Sequence, residues 1–327
     1  MKRFKTILMT ALLALLLTAA PALAADEAPI LFADVGWDSI RLHNAIAGTI
    51  AQEVWGYQWE EITGSTPITS EGVMSGDIDV HMEMWTDNLP SYAEDIAKGR
   101  LKEVSVNFDD NYQGLYVPRY VIEGDQERGI EPMAPDLKTV ADLARYPDLF
   151  ADPEDPGRGR IFGGLPGWEV TEIMEKKVAY YGLDASYNYV LPGSDAAMSA
   201  SIISAWDRGR PIVAYYWEPT WLMGMYDFVL LEDAPYNPET YKEGETEMPP
   251  MRVTVCVSNG FAEQRPDFVE FLSKYRTSSA LTSEGLAHMQ ETNEDYAATA
   301  RWFLQQHPEL VDAWLNPEQA ETLRSRL

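Results

Sequence analysis

Two stretches of this chain begin in the same way, and that repetition narrows the folds open to it. Near residue 30 an apolar strand, "ILF", breaks at Gly36-Trp37. Asp38 or Ser39 then caps a helix with Leu42, Ile46, Thr49, Ile50 and Val54 at helical spacing. "YQWEEIT" predicts a second strand, and a turn at Gly76-Asp77 leads into a third from Ile78 to Met84. Near residue 160 the pattern restarts. "RIFGG" reads as a strand, "LPGW" as a turn, and "EVTEIMEKKVAYYG" as a helix closed by Gly182. "YNYV" gives the next strand, "AAMSASIISAWDRG" a helix closed by Gly209, and "PIVAYYWEP" a third strand. Such alternation predicts α/β structure with parallel strands. The halves share a pattern without sharing a sequence.

The segments between are less regular. "YVPRYVIE" (116–123) reads as an extended connection or an edge strand, because of its proline. Residues 124–158 read as irregular surface with one short helix near Leu137 to Leu143. A loop rich in Pro and Glu (234–250) precedes the strand "RVTVCVSNGF", and the chain is helical from Pro266 onward. A chain of this length exceeds what one small core serves. The division that follows is a first lobe of 28–117 plus 251–327 and a second of 118–250.

Lys2, Arg3 and Lys5, the apolar run from Ile7 to Ala20, and Pro21-Ala22-Leu23-Ala24 form the three parts of a secretory signal peptide, residues 1–24. The apolar run falls short of the ~20 residues of a membrane span. Export is therefore expected, yet Cys256 is the only cysteine, so neither an internal disulfide nor a cysteine-based metal cluster can support the fold. The formal charge is −27, and loss of the signal makes it about −30, which argues against nucleic acid and anionic membrane surfaces as partners. The histidines, His43, His81, His288 and His307, are not at metal-ligand spacing and read as surface or core residues. No nucleophile elbow, phosphate loop or zinc-protease motif is present, so no catalysis, metal or cofactor is expected.

The tryptophans carry the functional signal. Trp37, Trp85, Trp168 and Trp217 each fall at or just beyond the C-terminal end of an expected strand, where open α/β sheets place ligands. Each has an acid beside it: Asp38, Asp87, Glu169 and Glu218. Several indole faces without a catalytic base suit a quaternary ammonium, whose methyl groups need apolar walls and whose charge is drawn to ring faces. Sugar stacking on the same rings is the competing reading. The turn "GGLPGWEVTE" (163–172) opens a helix whose free backbone N–H groups can hold a carboxylate, and "LPGSDAA" (191–197) is a second such turn.

At this point the chain resembles the substrate-binding proteins of ABC importers for glycine betaine, choline and related compatible solutes. The resemblance spans nearly the whole chain after the signal. It is carried together by "VGWDS", "GDIDVHMEMW", "GLYVPRYV", "LPGWEVTE", "YYWEPTWLMGMYD" and "ARWFLQQHPELVDAWL". It implies a two-lobed periplasmic binding protein fold, type II-like, that closes on its ligand by hinge motion. It further implies delivery of a quaternary amine to an ABC permease in the inner membrane, a monomeric periplasmic protein, and no nucleic-acid partner. The aromatic cage it implies consists of Trp37, Trp85 and Trp217, with Tyr116 or Tyr112 as the tyrosine supplied near the crossover, and Asp38 close by. Gly167 and Trp168 match the family's carboxylate-binding turn. The sequence departs from the family at Trp168-Glu169, where smaller or neutral residues are common. An inward Glu169 repels a carboxylate and favours choline or another cation, whereas an outward one supports its helix N-terminus.

Overall fold

A strand buried on both faces sets the first sheet: β1 (Ile30–Asp34) is closed to solvent along nearly its whole length, as a central parallel strand must be. Trp37 follows in extended conformation and starts α1 (Asp38–Ile50), which buries Ile40, Leu42 and Ile46. The helix widens into a π-helical turn, Ala51–Trp55, and stops at Gly56 in the left-handed region. β2 (Trp59–Thr63) lies parallel to β1. A Cβ on Gly48 of α1 would stand 2.3 Å from the Trp59 indole, so only glycine lets this helix lie so close to β2. α2 (Thr66–Ser75), β3 (Val80–Trp85), α3 (Tyr92–Ala97) and β4 (Lys102–Phe108) complete the first run. The structure is a computed structural model that describes residues 28–327; the expected signal peptide lies outside the described residues.

The second run comprises β5 (Tyr112–Pro118), α4 (Arg119–Glu123), β6 (Gly159–Phe162), α5 (Glu169–Tyr180), β7 (Tyr187–Val190), α6 (Asp195–Asp207), β8 (Ala214–Glu218), α7 (Trp221–Met225) and β9 (Phe228–Leu230). The chain then returns through β10 (Val253–Val257) into α8 (Asn259–Gln264), α9 (Pro266–Leu272), α10 (Ser279–Thr292), α11 (Tyr296–Gln306), α12 (Pro308–Trp314) and α13 (Pro317–Arg324). These helices bury Phe268, Phe271, Leu286, Phe303 and Trp314 in one core with the strands and α1 of the first run.

Both sheets have the same topology. The first is ordered β2-β1-β3-β10-β4 and the second β7-β6-β8-β5-β9. In each, three parallel strands from one lobe receive an antiparallel strand delivered by the crossing chain, β10 in the first and β5 in the second. The strand 112–118 thus sits inside the second sheet, between β8 and β9, and is no edge. Its proline is tolerated at the strand's last residue, from which the chain turns into α4. The first crossing therefore falls at residues 109–111, upstream of the 117/118 boundary expected from sequence. Asn111, fully buried there, binds the second crossing directly: its amide Nδ2 donates to Met251 O at 2.6 Å, and its Oδ1 accepts from Met251 N at 2.9 Å. The result is an α/β, two-lobed fold with a cleft between lobes joined by two crossing strands.

Candidate functional site

The C-terminal ends of β1, β3 and β8 and the turn before α5 point into one cavity between the lobes. Trp37, Trp85, Trp168, Trp217 and Tyr215 line it, with Thr66, His81, Glu83, Asn88 and Gly167. Its aromatic walls stand nearly at right angles. Trp37 meets Trp168 at 5.6 Å between ring centroids and 86° between planes. Trp168 meets Trp217 at 5.2 Å and 83°, and Trp37 meets Trp217 at 6.4 Å and 74°. Perpendicular neighbours at such spacing are a favourable aromatic geometry and also form the corner of a box. Tyr215 and Tyr216 both stack on Trp217 and hold its plane.

The walls come from both lobes. Trp37 and Trp85 follow β1 and end β3 in the first lobe; Trp168 and Trp217 belong to the second. Val35, Trp37 and Ile40 pack into the second lobe's hydrophobic core, so the lobes are closed on each other here. Gly167 sits at φ +90°, facing Pro67 at the start of α2, which an added Cβ would meet at 3.5 Å. The positive φ is what makes this position a glycine. Thr171 steadies the turn by donating its hydroxyl to Leu165 O at 2.6 Å.

Under the indoles lies a carboxylate the sequence reading passed over. Glu83 is fully buried on β3, and its Oε1 accepts hydrogen bonds from Trp37 Nε1 (2.8 Å), Trp85 Nε1 (2.9 Å) and Ser39 Oγ (3.0 Å). One oxygen therefore orients two cage walls. Burial pushes the Glu83 carboxyl up to about 7, against the three donors that favour its charged form. Its other oxygen, Oε2, has no partner among the described residues. His81 lies two residues earlier on the same face of the strand, also buried, and burial pushes it down to about 3, so it is neutral. Its Nδ1 faces the Glu83 backbone N–H at 3.3 Å, and its Nε2 has no partner. Thr66 Oγ1 and Asn88 Oδ1 are buried without partners in the same lining. The sequence signal for Glu83 and His81 was the alternation in "HMEMW", which places both on the face that ends in Trp85.

The cavity gathers five of the residues singled out from sequence: Trp37, Trp85, Gly167, Trp168 and Trp217. The other four are held elsewhere. Tyr112 is 58% exposed, and Tyr116 is buried in the second lobe's core with its hydroxyl donating to Glu218 at 2.9 Å. Asp38 accepts from the Tyr296 hydroxyl of α11. Glu169, at the start of its helix, pairs with Lys242 at 3.0 Å, while its Oε2 is buried with no partner among the described residues. Asp87, the acid next to Trp85 in sequence, instead accepts from the Arg252 backbone N–H. Among the described residues no group of three or more His, Cys, Asp or Glu side chains could hold a metal, and no helix is long and apolar enough to cross a membrane.

The sequence model for the substrate-binding domain of ABC-type glycine betaine transport systems matches residues 28–306. A trimethylamine N-oxide-binding protein of Pelagibacter ubique is 23% identical over 201 residues, 60% of this chain and 62% of that protein. The match thus spans about three fifths of that relative's length. A glycine betaine/proline betaine-binding periplasmic protein of Salmonella typhimurium is 23% identical over 269 residues, 71% of this chain and 81% of the relative. Among solved structures, a glycine betaine/L-proline-binding protein of Borrelia burgdorferi superposes with a TM-score of 0.70 at 20% identity, covering 90% of this chain and all of that one. An ABC-transporter choline-binding protein in complex with choline superposes with a TM-score of 0.68 at 22% identity, covering 91% of this chain and 97% of that one. With the family match running through both sheets and every wall of the cavity, the chain belongs to the substrate-binding domains of ABC-type glycine betaine transport systems.

Proposed function

We propose that the protein holds the trimethylammonium group of a small quaternary amine among Trp37, Trp85, Trp168 and Trp217 and hands it to an ABC permease. The observation that carries this reading is the box itself: three mutually perpendicular indoles, with Trp85 tied to Trp37 through the single Glu83 oxygen. Each partly desolvated ring contact with a cation contributes about 0.5–2 kcal/mol, so four walls together offset a large part of the lost hydration. Glu83, outside bulk water, adds an attraction that a neutral sugar cannot use. The proposal includes the setting: export through residues 1–24, residence in the periplasm, action as a monomer, and transport without chemistry. The acidic net charge of −27 supports a partner other than nucleic acid.

Titration calorimetry with choline, glycine betaine, trimethylamine N-oxide and glucose tests the reading. Saturable binding of at least one quaternary amine or amine oxide, with a change in indole fluorescence, is expected. Heat from glucose alone would refute it.

A further inference from the structure

The indole box accounts for a ligand's methyl groups but leaves its other end unexplained. Two side chains on one face of β3 supply the missing chemistry. His81 and Glu83 are 1% and 0% exposed, both line the cavity, and each has one polar atom that meets no protein partner. The tautomer of His81 follows from its surroundings. Its Nδ1 stands 3.3 Å from the Glu83 backbone N–H, which can only donate, so Nδ1 accepts and Nε2 carries the proton. Glu83 Oε1 is already occupied by three donors, so in the ionised carboxylate Oε2 is left as an acceptor. The lining therefore holds an unmet donor and, with Glu83 ionised, an unmet acceptor on residues i and i+2 of one strand, beside the unpartnered Thr66 Oγ1 and Asn88 Oδ1.

Ligand groups differ in how they meet that pair. A carboxylate or an N-oxide oxygen only accepts, so it satisfies His81 and places negative charge against Glu83. A protonated amine only donates, so it satisfies Glu83 and leaves His81 Nε2–H buried and unpaired. A bare tetraalkyl cation satisfies neither. A hydroxyl oxygen accepts from one and donates to the other through a single atom. We infer that His81 and Glu83 form a hydroxyl-binding corner of the cage, which selects a hydroxylated quaternary amine over carboxylated betaines. The inference rests on the quaternary-amine reading above and assigns the specificity of that same site. His81 and Glu83 take the discriminating role that the sequence gave to Glu169, which here faces Lys242.

Calorimetry at pH 8 on the whole protein, with choline, tetramethylammonium and glycine betaine as probes, tests it. Choline is expected to bind about tenfold or more tighter than either of the others, the span of one hydrogen bond to a charged group. In His81→Phe, the choline advantage over tetramethylammonium should collapse to within about threefold, because the ring remains and the donor is gone. Equal affinities for choline and tetramethylammonium in the unaltered protein would overturn the corner while leaving the cage intact. So would tighter binding of glycine betaine, or a His81→Phe protein that retains the full choline advantage. Failure of all three probes, and of trimethylamine N-oxide, to bind would overturn the quaternary-amine reading and the corner with it. Should His81→Phe fail to fold, the ranking of the three probes on the unaltered protein still decides.

Discussion

Replacing Glu83 with glutamine removes a buried charge while keeping the oxygen that Trp37, Trp85 and Ser39 share. The consequences for stability and for binding have opposite signs. The Glu83 carboxyl is raised from its ordinary 4.5 to about 7 by burial. An acid with a raised folded-state value holds its proton more tightly folded than unfolded, so ionisation destabilises the fold. The penalty is absent below pH 4.5, grows through the window up to 7, and is constant above it. At 1.36 kcal/mol per pH unit it reaches about 3 kcal/mol. Without ligand, Glu83→Gln should therefore melt about 5 °C above the unaltered protein at pH 8.5, and level with it near pH 4.5, given the unfolding entropy of a chain of this size. Asp195 is also pushed to about 7, by burial and by Asp38 across the cleft, but it titrates in both proteins and cancels in the comparison. Adding choline should reverse the order at pH 8.5, because only the ionised carboxylate rewards a cation. The assay is a thermal melt at matched ionic strength, across pH, with and without ligand. A ligand-free variant that melts lower at pH 8.5, or a gap that does not change with pH, would refute the electrostatic account of this residue.

Other expectations follow from the same geometry. Cation affinity should fall about tenfold between pH 8 and pH 6, because proton and ligand compete for Glu83, whose ionised form is lost as pH drops through about 7; titration calorimetry in buffers of different ionisation heat would also count the proton released. Trp168→Ala removes a half-buried wall supplied by the second lobe, and should weaken quaternary-amine binding by about thirtyfold, some 2 kcal/mol, with little change in the ligand-free melt. Lys177 is buried on α5 and donates to the Asp233 carboxylate, Gly244 O and Thr246 O, so it ties the 233–247 loop to the second lobe. Lys177→Ala strands the Asp233 charge and should cost about 3–5 kcal/mol in denaturant unfolding.

Much of this architecture was legible in the sequence because its signals are local. Strand, glycine turn and helix repeat within about 30 residues, and the periodicity that buries Ile30 and Phe32 or Leu42 and Ile46 needs no distant partner. The four tryptophans were legible for a related reason, since each sits where a strand ends. What was hidden depends on pairing across the chain. β5 became an inserted antiparallel strand only through β8, whose Trp217 pairs with Gln113, and nothing near residue 112 announces that partner. That insertion buries Tyr116, paired on both sides, while Tyr112 begins the strand beyond the reach of β9 and stays exposed. Glu83 reads as an ordinary polar residue in an alternating strand; its meaning comes from Trp37 and Ser39, more than 40 positions upstream. Glu169 was recognised as decisive in its orientation, and that orientation is set by Lys242, whose loop carries no pattern.

The placement of Glu83 also bears on what a ligand would add to the closed cleft. Half of the indole walls belong to each lobe, so separating the lobes exposes the faces of Trp37 and Trp168 to water. Each large aromatic buries roughly 150–250 Å², at about 25 cal/mol per Å², so the indoles alone favour a closed cleft by several kcal/mol. A receptor that closed on this drive without cargo would spend its time in a closed, empty form. The carboxylate under the box opposes that. With the cleft shut as here, Glu83 keeps Oε2, which has no partner among the described residues, out of water, so its ionisation above pH 7 works against the fold. A cation among the rings turns the penalty into an attraction while adding contacts with all four walls. On the proposed function, the indoles would supply affinity, and the buried acid would reward a positively charged ligand over a neutral one.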